Sequence, residues 1–242
     1  MLIMSLNDLL NYRIETENGK IGCVRDYYFD DLEWTIRYLV VDTSTWLENG
    51  REVLLSPASA LPPDQKRKSI SMKLTREQVE NSPNVDTHKP VSREMEGLMA
   101  RHYSWPAYWL QPMAPVLTPP EPRPSGPAAD SDLHLIEPHL RSLREVTGYH
   151  IEAEDGSIGH VEEFLVHPAF WKIRYMVVDT KNWLPGDKVI VALRWIHTID
   201  WASGKVRVDL TKRSIENAPR YEPPVTPAYE MELYNYYGRP YK

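Results

Sequence analysis

The sequence predicts a mainly β protein made of two tandem copies of one small antiparallel barrel, joined by a proline-rich linker. A stretch of about 100 residues occurs twice, each copy contains short alternating strands entered through glycine turns, and a proline-rich run separates the copies. We therefore expect module 1 at residues 1–110, the linker at 111–140 and module 2 at 141–242.

The repeat is clearest in "IRYLVVDTSTWL" (36–47) and "IRYMVVDTKNWL" (173–184). At an offset of 137, 18 of the 36 positions from 12 to 47 are identical to their counterparts from 149 to 184. After a one-residue deletion the offset becomes 136. It then places "KSISMKLTREQVENSP" on "GKVRVDLTKRSIENAP" and "VSREME" on "PAYEME". One duplicated module is thus the folding unit to explain.

Within each copy the strands follow one another in a fixed order. A hairpin turn at Asn18-Gly19, and again at Asp155-Gly156, supplies the positive φ of a tight turn. The alternating strand "WTIRYLVVD", a strand at "EVLL" and a last strand at "SISMKL" come next. Thr75 and Thr211 then predict the N-caps of short helices, each stopped by a proline.

The proline-rich stretch from 111 to 127 predicts a semi-extended spacer. At about 3.1 Å per residue it would reach about 50 Å, which allows the two modules to pair or to stay apart.

Composition narrows the class of protein. Of 242 residues, 42% are apolar and 26% are charged, as in ordinary globular chains. No apolar run approaches the roughly 20 residues that span a bilayer, and we expect neither a membrane span nor a secretory signal. The single cysteine, Cys23, fits a reducing compartment, so we expect a cytoplasmic protein. A net charge of −6 disfavours nucleic acid as the partner.

This order of elements resembles the PRC-barrel family, which is named for the H subunit of the photosynthetic reaction centre. The similarity is carried by "GKIGCVRDYYFDDLEWTIRYLVVDT", by "LTREQVENSP" and "LTKRSIENAP", and by the tail "PAYEMELYNYYGRPYK". It covers both modules and leaves out the linker.

The resemblance implies a compact β-barrel that binds other macromolecules and has no chemistry or cofactor of its own. In one branch of the family the barrel caps a membrane complex from the cytoplasmic side, and in another it binds a ribosomal protein. We therefore expect a non-enzymatic scaffold for a protein partner, such as a membrane-embedded photosynthetic electron-transfer complex at the inner membrane face. A ribosome-maturation-like adaptor is a further alternative.

By the same resemblance, the family's proton-conducting acids fall on Asp30 and Glu33. Module 2 has His167 and Phe170 at these places, which confines any proton relay to module 1. Two carboxylates across a tight turn are also common on a solvated hairpin, so both interpretations are kept. The asymmetry equally supports a sensor of a small ligand or metal in the cleft between the modules.

Two further sets of residues are candidates for contacts. The chain has 8 Trp and 14 Tyr against 3 Phe, and Trp and Tyr are enriched at interfaces. Partner binding is therefore predicted for aromatic residues that follow the helices: Trp105, Tyr108, Trp109, Tyr234, Tyr236 and Tyr237. Pairing of the modules as an intrachain pseudo-dimer, with a homo-oligomer as the alternative, is predicted for the central strands: Leu39, Val41, Met176, Val178, Arg37 and Arg174.

No catalytic motif is present in the sequence. It contains no glycine-rich phosphate loop, no Cys-x-x-Cys pair and no nucleophile elbow. The eight histidines have no metal-ligand spacing. The sequence thus predicts no catalytic residues, no metal and no cofactor.

Overall fold

The computed structural model describes residues 3–47, 50–87, 90–110, 139–180 and 188–241. Most of the predicted linker, 111–138, lies outside the described residues. The described chain is mainly β, as the sequence predicts. None of its helices is both long and apolar enough to cross a bilayer.

Both repeats contain the same series of elements. The first has β1 (Met4–Ser5), α1 (Leu6–Leu9), β2 (Arg13–Thr16), β3 (Gly19–Asp30), β4 (Thr35–Asp42), β5 (Glu52–Leu55), β6 (Ser69–Ser71), α2 (Arg76–Glu80) and α3 (Arg93–Tyr103). The second has β7 (Leu140–Ser142), α4 (Leu143–Val146), β8 (His150–Ala153), β9 (Gly156–His167), β10 (Lys172–Asp179), β11 (Lys188–Ala192), β12 (Ile196–Asp200), β13 (Lys205–Val208), α5 (Lys212–Glu216) and α6 (Pro227–Tyr236). Both predicted glycine hairpins and both threonine N-caps are confirmed.

The strands form one mixed sheet that continues from one repeat into the other. Its order is β12-β13-β8-β9-β10-β4-β3-β2-β6, with β1, β5, β7 and β11 added beside this path, and it does not close into a ring. Most pairs are antiparallel, as predicted, but β2 with β6 and β8 with β13 are parallel. The parallel pairs arise because the last strand of each repeat returns to lie beside the first hairpin in the same direction.

The two repeats meet at a pseudo-twofold axis between β4 and β10. Thr35 pairs with Lys172, its own counterpart at the offset of 137. On either side, the Ile36 amide donates to the Trp171 carbonyl and the Ile173 amide to the Trp34 carbonyl, both at 2.8 Å. These two bonds join counterpart residues and are related by the pseudo-twofold axis, as expected for an isologous contact.

Each repeat also gives its first strand and helix to the other. β1 of the first repeat pairs with β9 of the second, and β7 pairs with β3 in the same way. The register is equivalent in both places, because Ser5 lies opposite Leu165 and Ser142 lies opposite Tyr28.

The exchange is fixed by matched polar contacts. The Ser142 hydroxyl donates to the Asp26 carboxylate of the first repeat, and the Ser5 hydroxyl donates to Glu163 of the second. Each serine is also the N-cap of its own short helix, so one hydroxyl joins the helix start to the other repeat.

The hydrophobic core is shared between the repeats. The ring of Phe164 lies 6.2 Å from that of Phe29 and 6.1 Å from that of Trp34, and Tyr27 lies 6.5 Å from Trp171. Such aromatic contacts add to the apolar area removed from water. The core therefore continues across the axis.

The central-strand residues predicted for module pairing lie inside the sheet of their own repeat. Leu39, Val41, Met176 and Val178 are fully buried and pair with neighbouring strands of the same repeat. The backbone bonds between the two central strands instead lie at the start of β4 and β10, beside the pseudo-twofold axis. A charge at Val41 would be buried without a partner and would destabilise the repeat itself.

The sequence alignment of the later helices is wrong by two residues. It places "VSREME" on "PAYEME" at an offset of 136, whereas the N-caps Ser92 and Thr226 differ by 134. The buried carboxylates also correspond at 134, since Glu96 accepts a hydrogen bond from Tyr38 and Glu230 from Tyr175. The contact of each helix with Tyr38 or Tyr175, rather than local sequence similarity, therefore sets the register of α3 and α6.

Candidate functional site

Two grooves lie at equivalent positions on either side of the pseudo-twofold axis. We call the one beside β4 the covered groove, of about 300 Å³, and the one beside β10 the open groove, of about 670 Å³. The covered groove is lined by Thr35, Ile36, Arg37, Tyr38, Ser56, Pro57, Ala58, Ala100, Trp105, Pro106, Tyr108, Trp109, Ala169, Phe170 and Trp171. The open groove is lined by Leu32, Glu33, Trp34, His167, Phe170, Lys172, Ile173, Arg174, Leu193 and Arg194.

The acidic pair singled out by the sequence lies on the turn between β3 and β4, where Glu33 lines the open groove, and it is held by Arg37 of the covered groove. One Arg37 nitrogen lies 3.1 Å from the Asp30 carboxylate and 3.3 Å from that of Glu33. The Asp30 carboxylate also accepts hydrogen bonds from the backbone amides of Leu32 and Glu33, which closes the turn between β3 and β4. The pair thus forms an ion-pair network at a turn, while its role as a proton relay stays a prediction.

The segment after α3 covers this groove. Ser104 adopts a left-handed conformation that ends α3 and redirects the chain. The Trp105 ring then stacks on Tyr103 at 4.2 Å, and its indole N–H donates to the Ser59 hydroxyl. The ring of Tyr108 lies over the Arg37 guanidinium, 3.9 Å from ring centre to the central carbon.

A buried carboxylate anchors the covering segment. Glu96 accepts hydrogen bonds from the Tyr108 hydroxyl at 2.5 Å and from Tyr38 at 3.3 Å, and it pairs with Arg93 at 2.5 Å. Burial raises the pKa of Glu96, while the Tyr108 hydroxyl and the Arg93 cation act in the opposite direction. Burial also raises the pKa of both tyrosines well above their usual value.

Replacing Glu96 with leucine should lower the free energy of unfolding by about 3–5 kcal/mol, because Arg93 would be left buried without its partner. Glu230, its counterpart, accepts from Tyr175 and Tyr241. Glu230 forms no ion pair within the described part of the chain, so Glu230→Leu should lower the free energy of unfolding by only about 1–3 kcal/mol. Urea unfolding followed by tryptophan fluorescence measures both. The exposed Glu94 on the same helix is the control, and equal losses at Glu96 and Glu94 would contradict this anchor.

The open groove presents apolar side chains to solvent. Leu32 is 65% exposed and Phe170 is 73% exposed, and both line this groove. The Phe170 ring stacks on His167 at 4.8 Å. The groove therefore offers an aliphatic and an aromatic wall contributed by the turns of both repeats.

The open groove also carries three cations, Lys172, Arg174 and Arg194. Among the residues that the structure describes, neither Lys172 nor Arg174 forms a hydrogen bond or an ion pair. Arg194, which also lines the groove, lies over the ring of Tyr234 at 5.0 Å. Sequence reasoning missed Lys172, Arg194 and Leu32. Comparing the charge of the two repeats position by position would have flagged the change from Thr35 to Lys172.

The aromatic residues predicted to bind a partner are distributed between covering and packing positions. Tyr234 is buried, and Tyr237 packs on Trp195 at 4.7 Å between ring centres. Tyr236 is 40% exposed and donates to the Ser214 carbonyl. Trp109 lies beside the Arg93 guanidinium at 4.8 Å. The structure therefore brings together Trp105, Tyr108 and Trp109, whereas the three tyrosines of the tail lie in the other repeat.

A third cavity, of about 210 Å³, lies on the pseudo-twofold axis between α1 and α4. Its lining consists largely of counterpart pairs: Leu6 and Leu143, Asn7 and Arg144, Leu10 and Thr147, Asp26 and Glu163, Tyr27 and Phe164. Burial raises the pKa of Glu163, and the buried Tyr27 hydroxyl has no hydrogen-bond partner among the residues that the structure describes. This axial cavity is a second place where a small molecule could bind.

Metal and thiol chemistry find little support within the described ranges. No group of three or more His, Cys, Asp or Glu side chains there is placed to hold a metal ion. Cys23 is a free, half-buried cysteine.

Fold and grooves together define a mainly β protein with two equivalent surface grooves, one covered by its own chain and one open. No known protein family and no curated protein matches this chain.

Proposed function

We propose that this chain is a non-catalytic binding protein in which two PRC-barrel-type modules, fused as an intrachain pseudo-dimer, present one open groove to a protein partner. The observation that carries the proposal is the difference between the two grooves. The same surface is covered by the chain's own aromatic segment in one repeat and left open in the other, where Leu32 is exposed; Phe170, which is also exposed, lines both grooves. An apolar surface that one repeat covers and the other leaves open is suited to an external partner.

The motif resemblance to the PRC-barrel family adds the kind of partner. It favours a membrane-embedded complex, such as one for photosynthetic electron transfer, approached from its cytoplasmic face. The protein would then be peripheral at the inner membrane face. A ribosomal partner is the alternative that the same resemblance offers.

The test is a pull-down with the tagged full chain from native lysate, with soluble and membrane fractions kept apart. We expect a stoichiometric partner that is lost when Leu32 and Phe170 are both changed to serine and retained when Met231, 51% exposed on α6, is changed to serine. Both variants alter exposed side chains, so folding should be preserved. Capture that is equal for all three proteins, or none for any of them, would refute the proposal.

A small-ligand sensor is the second candidate, favoured by the axial cavity. The Tyr27 hydroxyl, which has no hydrogen-bond partner in the described part of the chain, and the carboxylates of Asp26 and Glu163 are polar groups in a mostly apolar cavity, the usual character of a ligand site. Native mass spectrometry of the freshly purified protein measures retained ligands directly. A retained small molecule that Leu6→Trp displaces would favour this function over the scaffold.

A further inference from the structure

The two grooves share one structural element, the arginine in the middle of the central strand. Arg37 on β4 and Arg174 on β10 are counterparts at the offset of 137, and each lines the groove of its own repeat. Because the surrounding backbone is equivalent, the contacts of Arg37 show what this surface can hold. In the covered groove the chain's own Tyr108 occupies the place that a ligand would take in the open groove.

Arg37 of the covered groove contacts two kinds of group. Carboxylates of Asp30 and Glu33 bind its nitrogen at 3.1 and 3.3 Å, and the ring of Tyr108 lies flat over its guanidinium at 3.9 Å. A guanidinium suits both contacts, because its N–H groups bind carboxylates while its face stacks on a ring.

In the open groove Arg174, the counterpart of Arg37, makes neither an ion pair nor a stacking contact with the described residues. His167 and Phe170 replace the two acids, and Lys172 replaces the neutral Thr35. Over the described part of the chain, Arg174 has no ion-paired carboxylate and no ring lying over its guanidinium, while Glu33 lines the same groove and the Tyr241 hydroxyl, which donates to Glu230, interacts electrostatically with Arg174. The lining of the open groove has Lys172, Arg174 and Arg194 against Glu33, so it is more positive than that of the covered groove, and among the described residues its Arg174 has no ion-paired carboxylate and no ring over it.

We propose that the open groove binds an acidic segment of a partner protein that carries an aromatic side chain. This proposal rests on the proposed function and specifies its partner. A carboxylate of the segment pairs with Arg174 and Lys172, and an aromatic ring packs over the Arg174 guanidinium, beside Phe170. The segment restores to the second repeat the contacts that Asp30, Glu33 and Tyr108 supply in the first.

The experiment is selection of random 12-residue peptides, displayed on phage, against the immobilised full chain. We expect the selected peptides to combine Asp or Glu with Trp, Tyr or Phe. A synthetic copy of one selected peptide, labelled with fluorescein, then serves as the probe. Its affinity should fall about tenfold or more for Arg174→Met, because a charge-assisted hydrogen bond and a stacking contact are lost together. Raising the salt from 0.05 to 0.5 M, roughly, should weaken binding as well.

Controls separate binding from folding. Arg174 forms no internal bond in the described chain, so Arg174→Met should leave thermal unfolding unchanged. Met231→Ser, outside the groove, should leave the peptide affinity unchanged. A matched peptide with Asn and Gln for its acids, and one with Leu for its aromatic residues, should each bind at least tenfold more weakly.

Three results would overturn the proposal. Selected peptides without acids, or a peptide affinity that Arg174→Met leaves intact, would refute the acidic aromatic partner. If the native partner still depended on Leu32 and Phe170, the scaffold function would stand and only its partner class would fall. Binding of 3-(4-hydroxyphenyl)propionate as tight as that of the peptide would show that the groove takes a small aromatic acid instead.

Discussion

Expressed separately, residues 1–110 and 139–242 should each fail to fold as a monomer. In the intact chain, β3 of the first repeat is paired by β7 of the second, and β9 is paired by β1 in return. Separation leaves these strand edges unpaired, exposes shared core residues such as Phe29 and Phe164, and strips Asp26 of the Ser142 hydroxyl.

Mixing the two fragments should restore one folded 1:1 complex. Near-UV circular dichroism reports fixed aromatic packing, and size-exclusion chromatography with light scattering gives the stoichiometry. Any folded population of one fragment alone should be a dimer, because a second copy can supply the exchanged strand, and its unfolding should then depend on concentration. A fragment that unfolds cooperatively as a monomer at every concentration would show that the exchange is dispensable.

Replacing Gly22 or its counterpart Gly159 with alanine should lower the free energy of unfolding by more than about 4 kcal/mol. Gly22 has φ +153°, and a Cβ there would lie 1.8 Å from the Asp42 carbonyl oxygen; for Gly159, at φ +141°, the distance to the Asp179 oxygen would be 2.0 Å. Backbone atoms of a paired strand cannot move away without breaking the sheet.

Gly97→Ala is the matched control for both glycines. Gly97 lies within α3, and a Cβ there would meet only the end of the Arg101 side chain, at 3.6 Å. Alanine favours the helix by roughly 0.5–1 kcal/mol, so this variant should be neutral or more stable. Chemical denaturation of the three variants and the unmodified protein measures these changes in the free energy of unfolding. If Gly22→Ala changed the free energy of unfolding no more than Gly97→Ala does, the close approach of the strands at Gly22 would be contradicted.

Local features of the fold could be predicted because short-range chemistry specifies them. The Asn18-Gly19 turn, the alternating strand from Trp34 and the Thr75 N-cap each depend on residues a few positions apart. The register of α3 and α6 was predicted wrongly, because it depends on Glu96 and Glu230 reaching tyrosines far away in the chain. Helix spacing alone carries no information about that partner.

The candidate site was predicted only in part. Unequal residues at equivalent positions, His167 and Phe170 against Asp30 and Glu33, did point to the region of the open groove. The sequence could not tell that Tyr108 lies over Arg37 while no ring of the described residues lies over Arg174, because the two arginines have nearly the same neighbours in the sequence. Coverage by a distant segment is decided by tertiary contacts.

The sequence by itself determined that one β module occurs twice, with the same turns, central strand and capped helix, since these follow from local patterns and from identity between the copies. Only the tertiary structure decided that the copies exchange their first strands, share one core and differ in which groove is covered. The physical reason is that a strand edge or an exposed guanidinium accepts any complementary partner, and geometry alone selects which distant segment arrives there.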